Sequence, residues 1–281
     1  MHHLTIDIGN TATKVAIHKT ATSSVATEIP NEGQAQRANH RPHQHNPIAT
    51  HHIQGHHLAD LTAFIAQWDI AACIISSTVT FTPVMLQHVH SWNIHPTIVL
   101  DNRTPLPIYN HYSTPQTLGA DRLAAVVGAY YEAPLLTGEH APALVIDLGT
   151  AITYDFITSD GHYLGGNISP GMDMRFRALH TFTDRLPLVD PHGEHPSIGH
   201  STDTAIRCGI LDGIRYEIEG TIRQFLVKYP QLLIFLTGGD AIDFEETPKN
   251  RIFADKFLVA KGLNYILQYI KDNTETDFQS L

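Results

Sequence analysis

The sequence predicts an α/β protein assembled from two related halves. Three observations carry that expectation. Leu4 to Ile17 reads as strand, glycine turn and strand; a closely similar string recurs half a chain later, from Leu144 to Ile157; and elsewhere apolar strands alternate with helical patterns. With 281 residues and 42% hydrophobic content, the chain can bury two cores of roughly 140 residues each.

In the first half, Leu4, Ile6 and Ile8 alternate with Thr5 and Asp7, and a strand pattern resumes at Thr13 to Ile17 after Gly9-Asn10-Thr11. Residues 31–57 contain Pro, Asn, Gln and the histidines His40, His43, His45, His51, His52, His56 and His57 with little periodicity, so a long solvated loop is expected there. Leu58 to Trp68 reads as a helix, Ala72 to Ser76 as a buried strand, Pro83 to Trp92 as a helix and Thr97 to Leu100 as a short strand. Prolines punctuate Thr104 to Pro115. A helical pattern then runs from Leu118 to Tyr131, and a single domain boundary is expected near residue 117, giving domains 1–117 and 118–281.

The second half opens with strands over Ala143 to Leu148, onward through Ile157, and over Gly161 to Ile168. Helical patterns follow at Met172 to Leu179, Thr202 to Tyr229 and Ala254 to Ile270, with a strand at Leu232 to Leu236 entering Thr237-Gly238-Gly239-Asp240. The last dozen residues are polar, and frayed ends are expected.

Charge and cysteine usage narrow the function classes. Lys plus Arg number 18 against 28 Asp plus Glu, a formal charge of −10, which argues against nucleic acid as a partner. Phosphate binding stays open, because backbone amides and magnesium bind it without a basic surface. Cys73 and Cys208 have no metal or disulfide spacing. The start lacks signal-peptide features and no apolar run approaches about 18 residues, so a soluble cytoplasmic protein is expected.

The repeat carries the chemistry. Set side by side without gaps, the two strings align Asp7 with Asp147 and Gly9 with Gly149. In each, an apolar strand delivers a carboxylate to its end, a glycine follows, and Thr or Asn supplies donors, an arrangement able to hold phosphate oxygens and a cation. The alternative is a tight turn whose Asp only caps the backbone. No P-loop and no GxGxxG is present.

Five short motifs in order, DxGNTxxK at Asp7 to Lys14, GxDR at Gly119 to Arg122, DxGTAxT at Asp147 to Thr153, GGxIxPG at Gly165 to Gly171 and GGDA at Gly238 to Ala241, resemble those of the type III pantothenate kinases. The resemblance spans nearly the whole chain. It implies two ribonuclease-H-like domains of the actin, sugar kinase and Hsp70 superfamily with a central nucleotide cleft. It also implies phosphorylation of pantothenate by ATP with Mg2+, a monovalent cation (K+ or NH4+) and a homodimer.

The resemblance assigns roles residue by residue. Asp121 matches the catalytic base that takes the proton of the attacking hydroxyl; without the resemblance it reads as a helix cap. Arg122 would present its fork to the pantothenate carboxylate, with Gly119 leaving room for the substrate's amide and Ala120 part of the same substrate-binding segment. Tyr112 matches a pantothenate-contacting tyrosine, or is an ordinary loop-packing aromatic. The segment Asp7, Ile8, Gly9, Asn10, Thr11, Ala12, Thr13 and Lys14 matches the ATP-binding hairpin, with Asp7 reaching magnesium through water. Lys14 either neutralises phosphate or faces solvent. Asp147 matches the monovalent-cation ligand and Thr150 an ATP contact. Thr202 matches a threonine supplied to the substrate pocket across the dimer, or serves the helix N-terminus; Ser201 replaces the family's usual Asn, leaving Thr204 as the competing register. The histidine-rich stretch matches no motif of the family and reads as solvated or adventitiously metal-binding. Two rivals remain at this stage: another kinase or ATPase of the superfamily, and a non-catalytic nucleotide-binding regulator.

Overall fold

The computed structural model describes residues 1–20, 46–239 and 251–278. The chain forms two compact units, one of residues 1–107, 114–139 and 257–281, the other of 108–113 and 140–256.

The first unit holds a five-stranded sheet. Strand β1 (His2–Ile8) is central, paired antiparallel with β2 (Ala12–Lys19), which pairs antiparallel with β3 (Ala49–Gln54). On its other side β1 runs parallel to β4 (Ile70–Ser77), and β4 to β5 (Thr97–Val99). Leu4, Ile6, Ile8, Val15, Ile17, Cys73 and Ile75 bury one face with Leu58, Leu61, Met85 and Val89 from the short turns and helices after β3 and β4, including α1 (Thr62–Ile65) and α2 (Pro83–Ser91). A hydroxyl cap from Thr82 to the Met85 amide and Pro83 in the first turn start α2.

Helices α3 (Ala120–Thr137) and α6 (Leu258–Phe278) pack against each other in this unit. Their backbones come close because the contact residues are glycines: a Cβ on Gly262 would lie 1.7 Å from the Ala124 carbonyl oxygen, and one on Gly128 2.5 Å from that of Leu258. Beside this crossing the buried Lys261 Nζ meets Glu132 Oε2 at 2.8 Å, and the Tyr265 hydroxyl donates to Glu132 Oε1 at 2.7 Å. Losing one partner of such a buried pair costs about 3–5 kcal/mol, so the pair fixes the register of α6 on α3. Helix α6 also meets the sheet, where His3 Nδ1 lies 2.9 Å from Asn264 Oδ1.

The second unit repeats the plan. Its central strand β7 (Ala143–Leu148) pairs antiparallel with β8 (Ala151–Ile157), which pairs antiparallel with β9 (His162–Pro170), while β10 (Leu233–Gly238) and β11 (Ile252–Ala254) follow in parallel on the other side. The order of the first five strands is thus reproduced, with one addition: β6 (Tyr109–Asn110) joins the outer edge of β9. Helix α4 (Met172–Thr181) and the long α5 (Thr202–Lys228) cover this sheet, α5 through Ile206, Ile210, Ile214, Ile218 and Ile222 at one-turn spacing.

The expected α/β architecture of two related sheets is present, and most strands and helices fall where the pattern places them. Four expectations change. Residues 49–54 are not loop but the edge strand β3; its exposed His51 and His52 mask the alternation, as edge strands tolerate polar residues on both faces. Leu58 to Trp68 holds a 3-10 turn and the single turn α1 instead of one helix. Ala254 ends β11, so α6 begins later, at Leu258, and runs past Ile270 to Phe278. Compactness does not follow a single cut at residue 117, because α3 and α6 pack on each other and complete the first unit.

Candidate functional site

Each unit carries a glycine turn at the end of its central strand, and the two turns differ by one residue. Ile8 pairs with Thr13, so residues 9–12 close the first hairpin; Leu148 pairs with Ile152, so residues 149–151 close the second. The gapless alignment of the two strings is therefore corrected: it opens at Asn10, after which Thr11 matches Thr150 and Ala12 matches Ala151. Three pairs of main-chain hydrogen bonds fix this equivalence. Gly9 N donates to Ala12 O at 3.0 Å and Gly149 N to Ala151 O at 3.2 Å; Gly55 N donates to Thr11 O at 2.9 Å and Gly171 N to Thr150 O at 3.1 Å; Thr78 N donates to Ile8 O at 2.9 Å and Gly239 N to Leu148 O at 3.0 Å.

In the first unit, Asp7 ends β1 half-buried, and its Oδ1 accepts from the Ser76 hydroxyl at 2.7 Å. Desolvation, reinforced by the charge of Asp121, pushes the Asp7 carboxyl up to about 6, against the Ser76 hydrogen bond and Lys14. Lys14 is exposed and sits opposite Asp7 in the ladder. Ile8 belongs to the core, so only its backbone can face a ligand. Asn10 and Thr11 are exposed, whereas Thr13 is buried and its hydroxyl donates to Gly55 O at 2.8 Å, bracing the hairpin.

Asp121 stands in the first turn of α3. Gly119 occupies the N-cap, and Asp121 Oδ1 accepts from the Arg122 amide at 2.8 Å. A Cβ on Gly119 would come within 2.5 Å of that oxygen, so the glycine makes room for the carboxylate. Ala120 is buried, and Arg122 is only 6% exposed; a carboxylate meeting its guanidinium would be largely desolvated, where a bidentate pair is strongest.

In the second unit Asp147 ends β7 half-buried and Thr150 is exposed at the turn. Two glycines converge on this turn: a Cβ on Gly171 would lie 2.2 Å from Gly149 O, and one on Gly238 2.3 Å from Leu148 O. The segment before α4 is pinned by Arg175, which donates to Pro170 O and Ser169 Oγ, each at 2.8 Å, and pairs with Glu217. Tyr112 lies over Gly165, with its ring 6.3 Å from and nearly parallel to that of Tyr163, whose hydroxyl donates to the buried Asp155 at 2.7 Å. Thus Tyr112 and the Gly165–Gly171 run, far apart in sequence, share one surface.

Ser201 and Thr204 form the capping box of α5. Thr202 is left exposed in the first turn, at a groove of about 810 Å³ between α4 and α5 lined also by Leu179, Phe182, Leu186 and Ile206. Asp240 and Ala241 of the late glycine motif lie outside the described residues, as do His40, His43 and His45. Among the described residues no group of three or more His, Cys, Asp or Glu could hold a metal ion.

A family model for the type III pantothenate kinases matches residues 3–224. The chain belongs to that family. A type III pantothenate kinase of Bacteroides fragilis is 43% identical over 267 residues, 95% of this chain and 98% of that one. One from Phocaeicola vulgatus is 49% identical over 216 residues, 76% of this chain and 86% of its own. A solved structure of a Baf family protein from Campylobacter jejuni shares the fold, with a TM-score of 0.53 at 19% identity over 96% of this chain and 99% of that one. The type III family model, which spans four of the five motifs, thus supports the reading made from them.

Sequence reasoning missed two participants at the first hairpin. Ser76, read only as the polar end of a strand, is fully buried against Asp7; a serine closing a run of apolar residues beside a carboxylate-ended strand was the available signal. His56, read as part of a solvated stretch, holds the Gly9 carbonyl, with 2.7 Å from Nε2 to O. Nothing in the pattern of seven histidines singles it out.

Proposed function

We propose that this protein transfers a phosphoryl group from ATP to pantothenate, forming 4′-phosphopantothenate, the first step of coenzyme A synthesis. One observation carries the reading: the type III pantothenate kinase family model matches residues 3–224, a span that holds the Asp7 hairpin with its exposed Asn10 and Thr11 and Asp121 in the first turn of α3.

Asp121 takes the proton of the pantothenate hydroxyl as it attacks, and Arg122 receives the pantothenate carboxylate. The amides and hydroxyl of Gly9 to Thr11 hold phosphate oxygens, and Thr150 adds a contact from the second turn. The desolvated Asp7 carboxylate is suited to magnesium, since a cation restores the charge balance that burial removes. Magnesium, when bound, neutralises phosphate charge. Asp147, a single carboxylate among turn carbonyls, is suited to K+ or NH4+. Tyr112 and Thr202 line the pantothenate site, Thr202 reaching a second copy of the chain; the exposed apolar groove beside it, with Phe182 on its wall, supports a homodimer. A cytoplasmic setting is supported by the two free, buried cysteines.

A coupled assay of ADP release tests this reading. Turnover is expected only with pantothenate present, and rises when potassium or ammonium replaces sodium. Nucleotide binding without product under any cation would overturn the kinase reading in favour of a regulator.

A further inference from the structure

Among the described residues, the first hairpin has a contact that its counterpart lacks. Beyond the shared bond from Gly55 N to Thr11 O, the next residue, His56, places Nε2 2.7 Å from the Gly9 carbonyl oxygen. A carbonyl only accepts, so Nε2 carries the proton and donates. In the second unit the glycine equivalent to Gly55 is Gly171, and the residue after it is Met172, which begins α4 and whose side chain has no donor to offer. The histidine therefore accompanies the longer turn. Asn10 is the added residue, and an added residue in a tight turn brings two further backbone dihedrals to fix.

We propose that His56 is a positioning residue for the nucleotide: its hydrogen bond fixes the Gly9–Asn10 peptide so that the Asn10 amide is held toward the phosphates. The inference rests on the ATP-binding role proposed for this hairpin. A peptide plane held by its oxygen has its N–H direction set as well, since both lie in one plane. Around that bond, β3 ends at Gln54, Gly55 turns with a φ of +67°, and the Thr13 hydroxyl holds Gly55 O, so the imidazole is delivered from a braced backbone. His51 on the same strand stacks on Phe64 instead and serves as the control.

Calorimetric titration of full-length protein with Mg·ATP, alongside thermal melting, provides the test. His56→Ala is expected to weaken ATP binding about tenfold, the scale of one lost hydrogen bond, with the melting temperature held. His56→Gln, whose amide can also donate, is expected to recover much of the affinity, and His51→Ala to bind as wild type. In turnover, His56→Ala raises the KM for ATP and leaves that for pantothenate unchanged. An ATP affinity within twofold of wild type for His56→Ala would overturn the proposal, as would an equal loss in His51→Ala. Wild-type protein that binds ATP but leaves pantothenate unphosphorylated would overturn the kinase reading alone.

Discussion

The two glycine hairpins descend from the same plan yet are built to different tolerances. Both end a central strand in a half-buried aspartate, both receive a main-chain bond from a glycine after the third strand, and both receive another from the residue after the fourth. The second is crowded, with Gly171 and Gly238 pressed on its carbonyls. The first is longer by Asn10, open around Gly55, and held by side chains: Ser76 on Asp7, Thr13 on Gly55, His56 on Gly9. Backbone packing leaves the second turn one geometry, whereas side-chain bonds let the first present its amides while keeping room for a ligand.

The sharpest test of that division concerns chemistry, which the proposed roles place beside the first hairpin. Asp121→Asn is expected to lower kcat about a thousandfold, within the usual range for a general base, with the melting temperature unchanged; turnover at the wild-type rate would remove Asp121 from the mechanism. Next comes crowding. Gly171→Ala should cost about 3 kcal/mol in urea unfolding because its Cβ has no space, while Gly55→Ala, which meets nothing within 4 Å, should cost about 1 kcal/mol from its left-handed backbone alone. Equal costs would show that the two turns are equally packed.

Asp7 offers a third test. Its folded value of about 6 lies above the ordinary 3.8, so the stability tied to its protonation is full below about pH 3.8 and is lost as pH rises through about 6. Without magnesium, Asp7→Asn is expected to be more stable than wild type by about 2 kcal/mol at pH 8, with the difference closing toward pH 4. A difference independent of pH would mean that desolvation does not govern this carboxylate. A fourth test is deletion of Asn10, which gives the first turn the length of the second. The chain should still fold, since the shorter turn closes in the second unit, and ATP affinity should fall about tenfold; unchanged affinity would show that turn length does not set phosphate binding.

Much of the first hairpin was legible because its strand is apolar on alternate residues and its carboxylate and glycine stand at the strand end, a pattern set by local chemistry. The one-residue difference was not, since a turn's length is decided by cross-strand register, and a gapless match of Asp7 and Gly9 with Asp147 and Gly149 satisfies the eye equally well. Strand β3 was hidden because, among the described residues, it is the end strand of its sheet with His51 and His52 exposed, which frees its sequence from alternation. Ser76 and His56 escaped for a related reason: each meets the hairpin from a separate strand or turn, 69 residues from Asp7 and 47 from Gly9. Tyr112 was assigned only through resemblance, because its contact with Gly165 depends on a two-residue strand, β6, that no periodicity announces.

The placement of α6 bears on how the chain is made. The first unit contains the opening 107 residues but is completed by a segment that begins at Phe257. On a ribosome, the whole second unit has been synthesised before Lys261 can reach Glu132 or Gly262 can settle on Ala124. The usual vectorial order, in which the N-terminal body matures first, is therefore inverted here, and a nascent chain stalled before residue 257 should display a finished second unit beside a first that proteases can still open.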